Sequence, residues 1–159
     1  MAAIKMFFIF LLFTNSVFAS NLTTYNKMLL AYENKIKTCK EAKKTNFSDQ
    51  PNLDIDHSDM RTGLTYFIIK NDEKCSEKEK STLITSINTI QDDTTIAEII
   101  RFNAKNILEL FKDSDRMLTE AKKAFMALEN GAKEKLKKKE AYKRPFDPTM
   151  ALEHYLNEK

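Results

Sequence analysis

Two glycines and three prolines are very few punctuation marks for a chain of 159 residues. Tight β-hairpins draw on Gly, Asn-Gly or Asp-Gly at positions where the backbone takes positive φ, and a many-stranded sheet needs many such turns. Here glycine occurs only as Gly63 and Gly131, and proline only as Pro51, Pro145 and Pro148. The expectation is an all-α protein, a small bundle of four to five helices that changes direction only at a few polar loops.

The first 19 residues, MAAIKMFFIFLLFTNSVFA, stand apart from the rest. Lys5 is their only charge, an apolar run follows from Met6 to Phe13, and Val17 and Ala19 occupy the two positions a signal peptidase reads as small. The apolar run is shorter than the ~20 residues that cross a bilayer, so cleavage after Ala19 is expected ahead of a retained anchor. Cleavage would remove one of the 26 Lys and Arg and none of the 23 Asp and Glu, leaving 140 residues with a net charge of +2. That is enough chain for one modest core and too little charge to imply nucleic acid. No transmembrane span is expected in the mature chain. Richness in Lys, Asn and Ile points to an AT-rich bacterial genome, and the expected location is the periplasm ahead of the extracellular space.

Export decides how the stretch DEKCSEKEK, residues 72–80, is read. A lone cysteine among charges can be a nucleophile, a metal ligand or half of a crosslink. Cys39 and Cys75 are the only two cysteines, and in an oxidising compartment they have one intramolecular pairing open to them. A metal site would want more ligands, and a catalytic thiol would want a histidine near it in the sequence. The expected state is a Cys39–Cys75 disulfide.

Helical periodicity covers most of the mature chain. Leu22, Tyr25, Leu29, Tyr32, Ile36 and Cys39 recur every three or four residues, which predicts a helix over 23–44 with Cys39 on its apolar stripe. Residues 45–59, TNFSDQPNLDIDHSD, read as a loop. Met60, Leu64, Phe67 and Ile68 predict a second helix over 59–71, capped by Ser58 or Asp59. Ser76 and Glu79 have capping-box spacing and open a third helix over 77–91, with Leu83, Ile84, Ile87 and Ile90 as its buried stripe. Thr95 and Glu98 repeat that spacing before the longest periodic segment, Ile96 to Leu128. Unbroken, that segment would be ~50 Å long. KDSDR at 112–116 could divide it, but it holds neither Gly nor Pro, so one long helix is the expectation.

Beyond Gly131 the chain changes character. Residues 132–144 hold seven basic and two acidic residues, and only Leu136 and Tyr142 among them can pack. A charge run of this kind reads first as a hydrated helical extension. Its alternative role is contact with an anionic surface, whether lipid headgroups, cell-wall polymers or an acidic protein, through Lys133, Lys135, Lys137, Lys138, Lys139, Lys143 and Arg144. Lys143-Arg144 is also a dibasic pair, though Pro145 disfavours cleavage there. Asp147 and Pro148 restart a helix whose apolar side is Met150, Leu152, Tyr155 and Leu156. That side either folds back on the bundle, the preferred expectation, or docks in a partner's groove. The organisation expected is therefore a signal at 1–19, a bundle at 20–131 and an extension at 132–159.

The sequence holds no HExxH, no GxSxG, no Gly-rich phosphate loop and no Trp. The nearest thing to a metal motif is DIDHSD, with Asp54, Asp56, His57 and Asp59. A calcium loop would have Gly where Asp59 stands and a bidentate Glu where Thr65 stands. Asn21-Leu22-Thr23 and Asn46-Phe47-Ser48 match the N-glycosylation pattern, which matters only in a eukaryotic cell. No cofactor is expected. The function expected is a non-catalytic interaction protein, an inhibitor, immunity-type factor, chaperone or adaptor, whose partner is another protein or an anionic envelope surface. The alternatives are a structural oligomer built through the long helix and, behind it, a metal-dependent enzyme using residues 54–59.

Overall fold

The computed structural model describes residues 2–44, 53–147, 149–151 and 153, with side chains in the first helix described from Ser20 onward. Among these residues there is no strand. The elements are α1 (Ala2–Lys44), α2 (His57–Gln91), α3 (Glu98–Met126), α4 (Asn130–Lys137) and a short 3₁₀ helix (Glu140–Lys143). The protein is an all-α bundle with a Cys39–Cys75 disulfide, as its scarcity of turn residues and its two cysteines led us to expect.

Two compact units make up the chain, one formed by the residues up to Glu33 with Lys78–Phe111, the other by Asn34–Glu77 with Lys112–Lys159. In the first unit, Leu83, Ile87 and Ile90 of α2 and Ala104 of α3 are fully buried, and Tyr25 of α1, Ile96 of the α2–α3 loop and Phe111 of α3 are nearly so. Each large aliphatic side chain taken fully out of water contributes about 1.5–3 kcal/mol. The spacing of 83, 87 and 90 is one helical stripe, so a single face of α2 supplies the centre of this core. Tyr32 closes it with an edge-to-face contact to Phe111, ring centroids 5.3 Å apart. The Lys80 stem is buried and its ammonium lies 5.3 Å from the Phe111 ring centroid, an arrangement that hides methylenes while the charge faces a π-cloud.

The second unit is built around aromatic rings. Met60, Leu64 and Phe67 of α2 meet Phe125 of α3, Leu136 of α4, Tyr142 of the 3₁₀ helix, and Phe146 and Ala151 beyond it. Tyr66 stacks on Phe125 at 4.6 Å, Phe125 meets Phe67 edge-on at 5.3 Å, and Tyr142 lies 5.9 Å from Phe67 and 5.2 Å from Phe146. Leu136 sits directly over Gly63. A β-carbon added at Gly63 would come within 2.5 Å of Leu136 Cδ1, so the fully buried Leu136 side chain would have to shift to admit one.

Two local expectations give way. Helices predicted over 59–71 and 77–91 are one helix, α2, because nothing between Gly63 and Gln91 breaks it. Ser76, read as a cap, is instead a buried mid-helix residue whose hydroxyl donates to the Asp72 carbonyl one turn back. The caps are also shifted. Asp56, rather than Ser58 or Asp59, precedes α2 and accepts from the Ser58 N–H at 2.9 Å and the Ser58 hydroxyl at 2.6 Å. Thr95 does not cap α3; its N–H and hydroxyl both donate to Asp93, and α3 starts at Glu98. The long third helix is not divided at 112–116.

Candidate functional site

Cys39 and Cys75 have α-carbons 6.1 Å apart and are bonded across 36 residues of sequence. Cys39 is almost fully buried, on the inner stripe of α1 where the heptad-like spacing put it. One turn before Cys75, Asp72 accepts from the Lys43 ammonium at 2.7 Å, so a covalent and an ionic link join the same two helix segments. Bonded sulfurs carry no thiolate, and the corner is a brace without nucleophilic chemistry.

The acidic loop at 54–59 resolves into structural roles. Asp56 holds its carboxyl below the usual range because the Ser58 hydroxyl and N–H donate to it. Asp54 receives the Lys135 ammonium on its carbonyl oxygen, with the carboxylate 3.8 Å away. Among the described residues no three His, Cys, Asp or Glu side chains converge as a metal-ligand set.

The basic segment packs by its two apolar residues and pairs many of its charges internally. Leu136 is fully buried and Tyr142 nearly so. Lys133 donates to the Met126 carbonyl at 2.9 Å, Lys137 pairs with Glu134 at 3.3 Å, and Lys143 pairs with Glu140. With Lys135 on Asp54, at least four of the seven basic side chains have a partner within this unit. The segment is tied down by a residue the sequence did not single out. Asn71, buried inside α2, donates both amide hydrogens, to the Tyr142 carbonyl at 2.8 Å and the Arg144 carbonyl at 2.9 Å. Burial pushes the Tyr142 hydroxyl up to about 12, and its proton points to the Met60 sulfur at 3.9 Å. Beyond Pro145, Asp147 caps the restarted helix as expected, accepting from the N–H groups of Thr149 and Met150. Ala151 is buried while Met150 is exposed, and Leu152, Tyr155 and Leu156 lie outside the described residues.

Two hollows are found in the first unit. One, about 300 Å³, is lined by Thr24 and Met28 of α1 and by Ser81, Thr82, Thr85, Ser86 and Thr89 of α2. The hydroxyls of Thr82, Thr85, Ser86 and Thr89 already donate to carbonyls of their own helix, so this hollow offers mainly methyl groups and lone pairs. The other, about 380 Å³, is lined by Asn21, Thr89, Asp92, Asp93, Thr94 and Thr95. There Asn21 donates to Asp93 at 3.3 Å.

The most conspicuous surface feature of that unit is the outer side of α3. Ile99, Phe102 and Leu110 are 64%, 58% and 66% exposed. At 100° per residue, Phe102 lies about 60° and Leu110 about 20° around the helix from Ile99, while the core-facing Ala104 and Phe111 lie roughly 120–140° away. These three large apolar groups therefore share a side of the helix that the unit's own core does not use. Periodicity alone could not separate them from the buried stripe, because both stripes recur at helix spacing.

Among the described residues, no helix is long and apolar enough to cross a membrane. No protein-family model matches the chain, and no significant match was found among curated proteins or solved structures.

Proposed function

We propose that the protein is exported, loses residues 1–19 and acts outside the cytoplasm as a non-catalytic helical binding protein whose partner is another protein. The observation that carries the binding reading is the exposed trio Ile99, Phe102 and Leu110 on one side of α3. Large apolar side chains gathered on one exposed side of a helix mark interaction surfaces, and here the aromatic Phe102, of a residue type enriched at interface centres, stands one turn from Ile99 and about two turns from Leu110, with Asn106 between. Export is supported by the charged, apolar, small-residue order of residues 1–19 and by the disulfide, a bond at home in an oxidising compartment.

A protein partner is favoured over an anionic surface because three lysines of the basic segment are paired with the carboxylates of Asp54, Glu134 and Glu140 and a fourth donates to the Met126 carbonyl. A second reading draws on the same three side chains: an oligomer in which α3 of one copy covers α3 of another. The test is affinity capture from envelope extract with the mature protein and with Phe102→Asp. Burying a charge at an interface centre costs about 2 kcal/mol or more, so a genuine partner is released by roughly 30-fold weaker binding. Capture that is indifferent to Phe102→Asp would remove the proposal. A doubled mass in light scattering, lost in the same variant, would favour the oligomer.

A further inference from the structure

The hollow between Asn21 and the α2–α3 loop is built around the Asp93 carboxylate. Asp93 is built as a carboxylate: the Thr95 hydroxyl donates to Oδ1 at 2.6 Å and the Thr95 N–H at 3.1 Å, while Asn21 Nδ2 donates to Oδ2 at 3.3 Å. Its pKa lies below the usual carboxylate range, first through the Thr95 hydroxyl and then through Asn21. Asp92 lines the same hollow. The charged groups around it are Asp92 and Asp93 from the loop and Arg101 from α3, which faces Asp93 electrostatically.

We infer that this corner is the seat of the α-ammonium group that cleavage after Ala19 creates on Ser20. The inference rests on the proposed removal of residues 1–19. Helical side chains lean toward the helix N-terminus, so the Asn21 carboxamide lies over the turn that precedes it. The carboxylate that Asn21 holds is therefore bonded to the residue that directly follows the new terminus, and residue 20 is itself exposed. In the uncut chain that nitrogen is a neutral amide inside α1. Once cut, α1 begins at Ser20 with unsatisfied N–H groups and a positive charge at the positive end of the helix dipole, an unfavourable combination. Asp93 answers both problems, since each carboxylate oxygen has two acceptor positions and Oδ2 uses one for Asn21. Cleavage thus adds an ion pair between α1 and the α2–α3 loop that the precursor lacks. The position of the cut matters, because a start several residues earlier would carry the amine away from the corner.

The experiment uses the full mature chain, prepared with Ser20 as its first residue by a site-specific protease, so that it does not depend on how cells process the precursor. Nα-acetylation is the decisive change, because it removes the charge and alters no side chain. The helix dipole alone predicts that acetylation raises the melting midpoint, by deleting an unfavourable charge. Seating on Asp93 predicts the opposite, a lower midpoint. It also predicts an α-amino pKa above the ordinary range of about 7.7–8.0, with a return to that range in Asp93→Asn. The contribution is present below the ordinary pKa and disappears as pH rises through the raised one. A higher midpoint on acetylation, or an amine pKa at or below the ordinary range, would overturn the inference. Sequencing the N-terminus of exported material tests the export reading separately: a start other than Ser20 would count against that reading, whatever the prepared chain does.

Discussion

Opening the Cys39–Cys75 bond is the perturbation whose size follows most directly from the structure. The bond closes a loop across 36 residues of sequence, and the chain-entropy relation assigns such a loop a stabilisation of about 4 kcal/mol at 25 °C. Against a total of about 5–15 kcal/mol for a domain of this size, that is a large share. Alanine is the better replacement, because Cys39 is 4% exposed and a serine hydroxyl there would add an unmet hydrogen-bonding cost of about 1–3 kcal/mol. Cys39→Ala, Cys75→Ala and the double variant should then lose similar amounts in urea unfolding, each about 4 kcal/mol, since any one of them already removes the bond. In cycle terms the coupling nearly equals either single loss. The denaturant slope should rise in all three, because the unfolded chain is released from its crosslink and exposes more surface. Two results would refute the reasoning: single variants that differ by more than ~1.5 kcal/mol, or a double variant that loses the sum of both.

Gly63→Ala should destabilise the protein by about 1–3 kcal/mol, because overpacking against the fully buried Leu136 outweighs the helix-propensity gain of about 1 kcal/mol; a higher melting midpoint would contradict the close approach. Asn71→Ala leaves the Tyr142 and Arg144 carbonyls without their donors, at a cost of about 2–4 kcal/mol for the pair. Limited proteolysis should then cut near residue 144 faster than in the parent, and unchanged rates would count against the tether. The Tyr142 hydroxyl titrates near 12 in the fold and near its ordinary 10 when exposed, so the neutral form is the one the core accommodates. That contribution is complete below pH 10 and is lost as pH climbs toward 12. Alkaline melts should show this loss in the parent and less of it in Tyr142→Phe.

The all-α fold was legible because its signals are local and redundant. Scarce glycine and proline exclude a hairpin-rich sheet, and the stripe Leu22, Tyr25, Leu29, Tyr32, Ile36, Cys39 places the first cysteine inward without any knowledge of its partner. Met60, Leu64, Phe67, Leu83, Ile87 and Ile90 are core residues for the same reason. The continuity of α2 was hidden, because Ser76 and Glu79 imitate a helix start; a serine that bonds one turn back satisfies itself equally well mid-helix. Cap positions moved by two or more residues wherever Asp, Ser and Thr cluster, since each competes for the same free N–H groups. Asn71 and the outward trio of α3 escaped for different reasons. The Asn71 bonds join residues more than 70 apart in sequence, a separation no local pattern encodes, and an exposed apolar stripe has the same period as a buried one.

Intact-mass analysis of the protein recovered from the envelope fraction of the producing cell, without reductant and after alkylation under denaturing conditions, tests the central claim most directly. The account predicts one species, the mass of residues 20–159 less two hydrogens, with no alkyl group added. A chain that still carries residues 1–19, or one that takes up two alkyl groups, would contradict it.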